Sequence, residues 1–431
     1  MVHSKYMKRY APLVLVITTG VLADGASMAA DNETPLQAAP AYTATQTKGE
    51  TVWSDADTSV GVLGSVRMFG KTDSKRSQKH DIQNNDSRLG IAVRHNFDFN
   101  GGDSFSLGYY ETGIHGLDSA TDDQGNDVYT RQAYAGLGSD EYGIVTFGKQ
   151  YAPTDWALGV DTTYAWGGKG KHNTAGMSTD IINSAAIYYY SDDHLTLGLM
   201  GQGNDTVDSI GFADYGDGPK LHDAYRDGSA NVHGGAALGG QYLWDNGISV
   251  SGAVAYNNYT VNSGTVTDCT LVSSGHCYVY TDHDGASYDG NTYSVGATTK
   301  YTANVGDHAW SNGAQVTWYV NKVNDVKAAT LGSYRHNQTT SNAQETLLGL
   351  EYNSQFKITP EWGVYADYSW LKGGDAMEGQ HFESAVFGTD YWLGKNAVTY
   401  VEYGYEKAWG NDNKDWNTDD HLTAVGLRIF I

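Results

Sequence analysis

In 431 residues the chain has two cysteines, Cys269 and Cys277. That is too few for a multi-disulfide scaffold or a cysteine-rich metal centre. Both lie in the polar stretch TDCTLVSSGHCYVYTD. In an oxidising compartment the expected arrangement is one disulfide closing a small external loop over 260–290. A metal site with His276 or His283 is the rival, and it lacks tetrahedral ligand spacing. Proline is scarce at six residues, so little interrupts extended chain. Basic residues number 27 against 50 acidic, a net charge of −23 that argues against a nucleic-acid partner. Beyond residues 11–23 no run approaches the roughly 20 apolar residues of a membrane-spanning helix. HExxH, GxSxG and GxxxxGK[ST] are absent, and the fourteen histidines are scattered singly, so no enzyme, cofactor or metal is expected. Asp282-His-Asp-Gly285 echoes a calcium loop, but Tyr293 stands where the twelfth-position ligand belongs.

What is present is glycine (53), tyrosine (32) and tryptophan (11) in alternating segments. In the last eleven residues, Val425, Leu427, Ile429 and Ile431 share one parity, while Ala424, Gly426, Arg428 and Phe430 share the other. Successive strand residues point to opposite faces, so this strand has one apolar face and one face holding a charge. A strand greasy outside and polar inside suits a closed sheet in lipid, with Tyr and Trp as interfacial girdles. At the other end, Lys5, Lys8 and Arg9 precede the apolar run 11–23 and small residues at Ala26, Ser27, Ala29 and Ala30. That order predicts a signal peptide over 1–30 and export. Its loss would take the net charge from −23 to about −25, because it carries three basic residues and one acidic. The destination expected is a bacterial outer membrane, with membrane lipid and lipopolysaccharide as neighbours.

Residues 31–49 hold Pro35 and Pro40, lack alternation and read as a flexible leader. A plug for a pore is a second reading of that segment. From 50 to 431 the pattern predicts one domain of sixteen strands. The runs are 59–70, 87–99, 103–113, 129–138, 143–151, 183–190, 194–202, 231–244, 247–259, 291–303, 308–322, 343–356, 361–371, 382–393, 397–408 and 420–431. Short turns such as Asp245-Asn246-Gly247 alternate with long polar connections. Parity assigns each face: Leu89, Ile91 and Val93 oppose Arg88, Gly90, Ala92 and Arg94. Leu348, Leu350 and Tyr352 oppose Gly349, Glu351 and Asn353. A charge facing lipid at mid-depth costs roughly 2–4 kcal/mol, so Arg88 and Arg94 should face water. A soluble β-sandwich is the competing architecture.

Three blocks carry a family resemblance: Asp86-Ser-Arg-Leu-Gly-Ile-Ala, Thr130-Arg-Gln-Ala-Tyr-Ala-Gly-Leu-Gly and Gly143-Ile-Val-Thr-Phe-Gly-Lys-Gln-Tyr. They resemble strands of the general, non-specific trimeric porins of Gram-negative outer membranes. The similarity runs from about 50 to 431 and is strongest over 129–190. It implies an all-β, 16-stranded antiparallel transmembrane barrel with an inward-folded third external loop, matching 152–182. It also implies a homotrimer passing small hydrophilic solutes and ions. The family's wall arginines carry over onto Arg88 and Arg131. A third falls on Asn183, and a wall lysine falls on Ser65, for which Arg67 has the parity to stand in. Of the loop carboxylates one falls on Asp161 and another on Ala165, while Lys169 occupies a nearby Asp position with Lys171 beyond. Opposed charges across such a constriction set a transverse field. The Ala165 and Lys169 replacements predict a weakly selective opening. Trp156, Tyr164 and Trp166 suggest an alternative, a chitoporin- or maltoporin-like sugar track. A surface receptor or adhesin barrel is a third reading. The last residue, Ile431, replaces the family's terminal aromatic.

Overall fold

The computed structural model describes residues 50–73, 82–85, 87–99, 102–114, 128–168, 181–207, 225–226, 230–272, 276–306, 308–327, 343–375, 381–409 and 418–431. Sixteen strands, each antiparallel to the next, close into a barrel. They are β1 (Thr58–Asp73), β2 (Ser87–Phe99), β3 (Gly102–Ile114), β4 (Val128–Ser139), β5 (Gly143–Tyr151), β6 (Ile181–Ser191), β7 (Leu195–Gln202) and β8 (Ala230–Leu243). The second half comprises β9 (Ile248–Val272), β10 (His276–Val305), β11 (His308–Lys327), β12 (Ala343–Lys357), β13 (Trp362–Asp375), β14 (His381–Trp392), β15 (Ala397–Trp409) and β16 (Thr418–Phe430). Each coincides with one alternating run of the sequence. Ile82–Asn84 prolongs the pairing of β2 with β1, and Asp205–Val207 prolongs that of β7 with β8.

Closure joins the two ends of the chain. β1 pairs with β16 from Ser65↔Phe430 to Asp73↔Leu422, and the Ile431 N–H donates to the Gly64 carbonyl at 2.9 Å. Below that point β16 has run out. The short strand Glu50–Ser54, absent from the alternation reading, takes the same edge of β1, from Glu50↔Val62 to Ser54↔Ser59. A closed sheet leaves no unpaired edge for lipid to desolvate.

The two parities meet different media. Leu89, Ile91 and Val425 are 43%, 48% and 55% exposed on the outer face, whereas Ala92, Ala424 and Arg428 are buried on the inner one. The sandwich alternative is thereby excluded, because a sandwich buries its apolar parity and exposes the polar one.

Short turns close one end of the barrel. Asp192 Oδ1 accepts the N–H groups of His194 and Leu195 at 2.9 and 2.8 Å. These bonds hold its carboxyl below the usual range. Gly247, after Asn246, adopts φ 79°, which a side chain disfavours. At the opposite end β9, β10 and β11 run 25, 30 and 20 residues. Crossing hydrocarbon takes about 9–11, so their pairing continues outside it. The segment 260–290, expected as a loop, is therefore mostly strand-paired, with Cys269↔Tyr280 and Leu271↔Cys277 in register. The side chains of Cys269 and Cys277 lie outside the described residues, as do residues 1–49 with the expected signal peptide and leader.

Candidate functional site

After β5, residues between 152 and 166 make contacts with inward-parity residues of strands from β7 round to β16. The segment opens as a short helix, α1 (Pro153–Ala157), with proline in its first turn where no N–H is needed. Ala152 and Trp156 pack on an apolar part of the inner wall that includes Ile182, Ile187, Met200, Ala237 and Ala255. Leu158 and Ala157 pack on Ala253. The Ser251 hydroxyl donates to the Ala157 carbonyl at 2.7 Å. Further along, the Thr162 hydroxyl donates to Asn353 Oδ1 at 2.9 Å.

The far end of the segment is held by polar contacts. Glu402, 0% exposed, accepts the backbone N–H of Ala165 at 2.8 Å, that of Tyr164, and the Tyr365 hydroxyl at 2.9 Å. The Tyr164 carbonyl accepts from Asn85 Nδ2 at 3.0 Å and from Arg428 Nη2. The Tyr164 hydroxyl donates to Asp390 at 2.8 Å, and Asp390 also pairs with Lys357 at 3.0 Å. The Tyr164 ring stacks on Tyr400 at 4.6 Å between centroids. Tyr365 and Tyr400 are placed by Gly388 and Gly426 directly across the sheet, because each ring occupies the space a side chain there would need.

A basic cluster stands on β2 and β4. The register of β3 with β4 slips between Glu111↔Gln132 and Thr112↔Thr130, which leaves Arg131 in a bulge. Bulges re-aim side chains. Here Gln132 and Arg131 both reach Glu111 on the inner face. Arg131, 8% exposed, donates from Nε to Glu111 Oε1 at 2.7 Å and from Nη2 to the Tyr151 hydroxyl. Arg88 Nη1 lies 4.0 Å from the same oxygen, and the Tyr109 hydroxyl donates to Glu111 Oε2 at 2.9 Å. Two guanidinium groups therefore share one carboxylate, and a second, buried carboxylate, Asp155 of α1, lies near Tyr151 in the same cluster.

Of the residues singled out in the sequence, the structure brings Arg88 and Arg131 together. Arg67 donates from Nε to Ser65 Oγ at 2.7 Å and faces Arg428 in the closing pair. Asp161 is exposed and caps the Thr163 N–H at 2.8 Å. Trp166 packs edge-on to Phe69 at 6.3 Å with the Lys71 ammonium 5.7 Å from its ring. Asn183 sits where β6 breaks register and binds Asp205 through Nδ2 at 2.7 Å. Arg94 is engaged with Asp140 at 3.4 Å and with the Phe105 ring. Lys169 and Lys171 lie outside the described residues. Sequence reasoning passed over Glu111, Glu402 and Asp390. All three are inward-parity carboxylates on strands, so the rule that flagged Arg88 would have found them.

The Gram-negative porin model matches residues 25–411 of the chain. The major outer membrane protein of Pasteurella multocida is 26% identical over 402 residues, covering 91% of this chain and 97% of that relative. Outer membrane porin C of Salmonella typhimurium is 25% identical over 315 residues, covering 70% and 75%. Among solved structures, the trimer form of in-vitro folded OmpT of Vibrio cholerae superposes with a TM-score of 0.57 at 17% identity, covering 87% of this chain and all of that one.

Proposed function

The chain belongs to the Gram-negative porin family and is an outer-membrane channel. We propose that residues 152–168 form its constriction, past which small hydrophilic solutes and ions diffuse passively. One observation carries this reading. Residues 152–166 rest on the inner parity of the barrel, apolar under the first half and polar under the second, with exposed Asp161 on the segment and the Arg88–Arg131 pair on the wall. A narrow wet passage with opposed charges orients dipolar solutes and disfavours apolar ones.

Ion preference is weak. Glu111 offsets part of the arginine charge, and Ala165 supplies its N–H to Glu402 where a loop carboxylate would otherwise stand. Reversal potentials in a salt gradient test this: a small preference is expected, and a strong one of either sign refutes it. Arg131→Gln should then move the cation-to-anion permeability ratio upward by about twofold. An unchanged ratio removes Arg131 from the constriction.

The working unit is a homotrimer in outer-membrane lipid and lipopolysaccharide. The outer face supports this unit. Tyr242, Tyr256, Trp318, Tyr352 and Tyr403 are exposed on β8 to β15, as a lipid interface requires. The opposite arc presents the small Gly108, Ala133 and Ala135 beside Leu89, Ile91 and Tyr110 on β2 to β4, a face open to packing against copies of the same chain. Ile91→Cys is expected to cross-link between protomers in membranes, and Trp318→Cys is not.

A further inference from the structure

The loop and the wall touch most closely where the wall has no side chains. A methyl carbon added to Gly296 on β10 would stand 2.8 Å from both terminal methyls of Leu158. One added to Gly313 on β11 would stand 2.7 Å from Cβ and Cγ1 of Val160. Carbon–carbon contacts favour about 3.5–4.0 Å, so each methyl overlaps the loop by on the order of 1 Å. The two glycines are bracketed by the Ser251–Ala157 and Thr162–Asn353 hydrogen bonds, which fix the same stretch to β9 and β12.

The overlap has to be relieved by whichever side yields. Gly313 is paired to Lys300 on one flank and Asn353 on the other, and Gly296 to Ala253 and Thr317. Those strands belong to a closed sheet and cannot retreat without breaking ladder bonds on both sides. The loop is tied to the wall there through the Ser251–Ala157 and Thr162–Asn353 hydrogen bonds and packing, and the lumen lies beyond it. Any volume added beneath therefore moves the loop into the passage.

We propose that Gly296 and Gly313 are specificity-determining positions, setting from beneath the loop how wide the passage is and hence which solute sizes cross. The inference deepens the constriction reading and rests on it. Neither residue contacts solute; both act by letting Leu158 and Val160 sit flush with the wall. The relation is one of volume, so a loss on the loop side should offset a gain on the wall side.

The test uses the assembled protein in planar bilayers, and sugars of graded size in liposome swelling. Assembly is checked by the heat-modifiable band. Gly313→Val is expected to lower single-channel conductance roughly twofold and to lower the size of the largest sugar admitted. Combining it with Val160→Gly should restore both. Gly201→Val, on the outer face with open space around it, is the control and should leave both unchanged. Gly296→Ala adds one methyl and should move conductance the same way by a smaller factor, which keeps the inference testable should Gly313→Val fail to assemble. Normal conductance in Gly313→Val or Gly296→Ala, or a loss that Val160→Gly leaves in place, overturns it. Asp161→Lys separates the two layers of argument. If it shifts the reversal potential while the glycine variants do nothing, the seat fails and the constriction stands. If it shifts nothing, the constriction reading itself fails.

Discussion

Residues 152–160 and 161–167 lie on the same inner wall but are attached to it by different physics. The first part sits on apolar side chains and on glycines, with Trp156, Leu158 and Val160 as its contacts. The second part is tied by directed bonds to Glu402, Asn85, Arg428 and Asp390. Apolar contact is non-directional and roughly proportional to area, so the first part, pinned by a single directed bond from Ser251 to the Ala157 carbonyl, chiefly fixes how deep the chain lies. Hydrogen bonds weaken steeply with misalignment, so the second part fixes where the chain stops. A water-filled lumen would compete for both. The clamp resists because its central acceptor, Glu402, is fully buried and engaged by three donors.

The largest expected effect comes from emptying the clamp. Glu402→Ala removes the acceptor of two backbone N–H groups and of the Tyr365 hydroxyl. Leaving a buried donor unmade costs about 1–3 kcal/mol, so the tip is expected to leave the wall. Single-channel records should become noisier and shift in mean conductance. Glu402→Gln keeps one acceptor oxygen and should fall between the two. Quiet, wild-type traces from Glu402→Ala would erase the distinction between the halves.

A smaller effect is expected in the apolar half. Leu158 is fully buried. Truncating such a leucine costs about 2–5 kcal/mol when the site cannot collapse. Leu158→Ala should therefore lower the denaturant midpoint in detergent and raise conductance slightly, because the loop can settle toward Gly296 while the clamp still holds the tip. If it disturbs conductance as much as Glu402→Ala, depth and stopping point are not separately controlled.

The barrel was legible because lipid and water impose a two-residue period on every strand. Leu89, Ile91 and Val425 declare the outer face, and Arg88 and Arg428 the inner one. The hairpin of β9 and β10 was less so, since its Cys269–Cys277 region has no consistently apolar parity and pairs outside the hydrocarbon, where no solvent contrast marks a face. The site was legible only where a charge sat on a clean parity. Arg131 reaches Glu111 through a bulge that no alternation encodes. Glu402 carried the right parity, yet its role depends on Tyr164, which lies 238 positions before it. Asn183 was placed by analogy, and a local break in register gives it Asp205 as a partner instead.

The smallest effect is expected at the seam between the halves. Thr162→Val removes one hydroxyl that donates to Asn353, and Asn353 retains its bond to Asp367. A single such bond contributes about 1 kcal/mol net, so stability should dip slightly with conductance unchanged. Its value lies in combination. If depth and stopping point are independent, Thr162→Val and Leu158→Ala should add to within about 0.5 kcal/mol, as separate sites do. Thr162→Val in the Glu402→Ala background should instead cost more than it does alone. With Glu402 gone, Tyr164 keeps its bonds to Asn85, Arg428 and Asp390, and the Thr162 hydroxyl carries a larger share of the hold on the segment just before it.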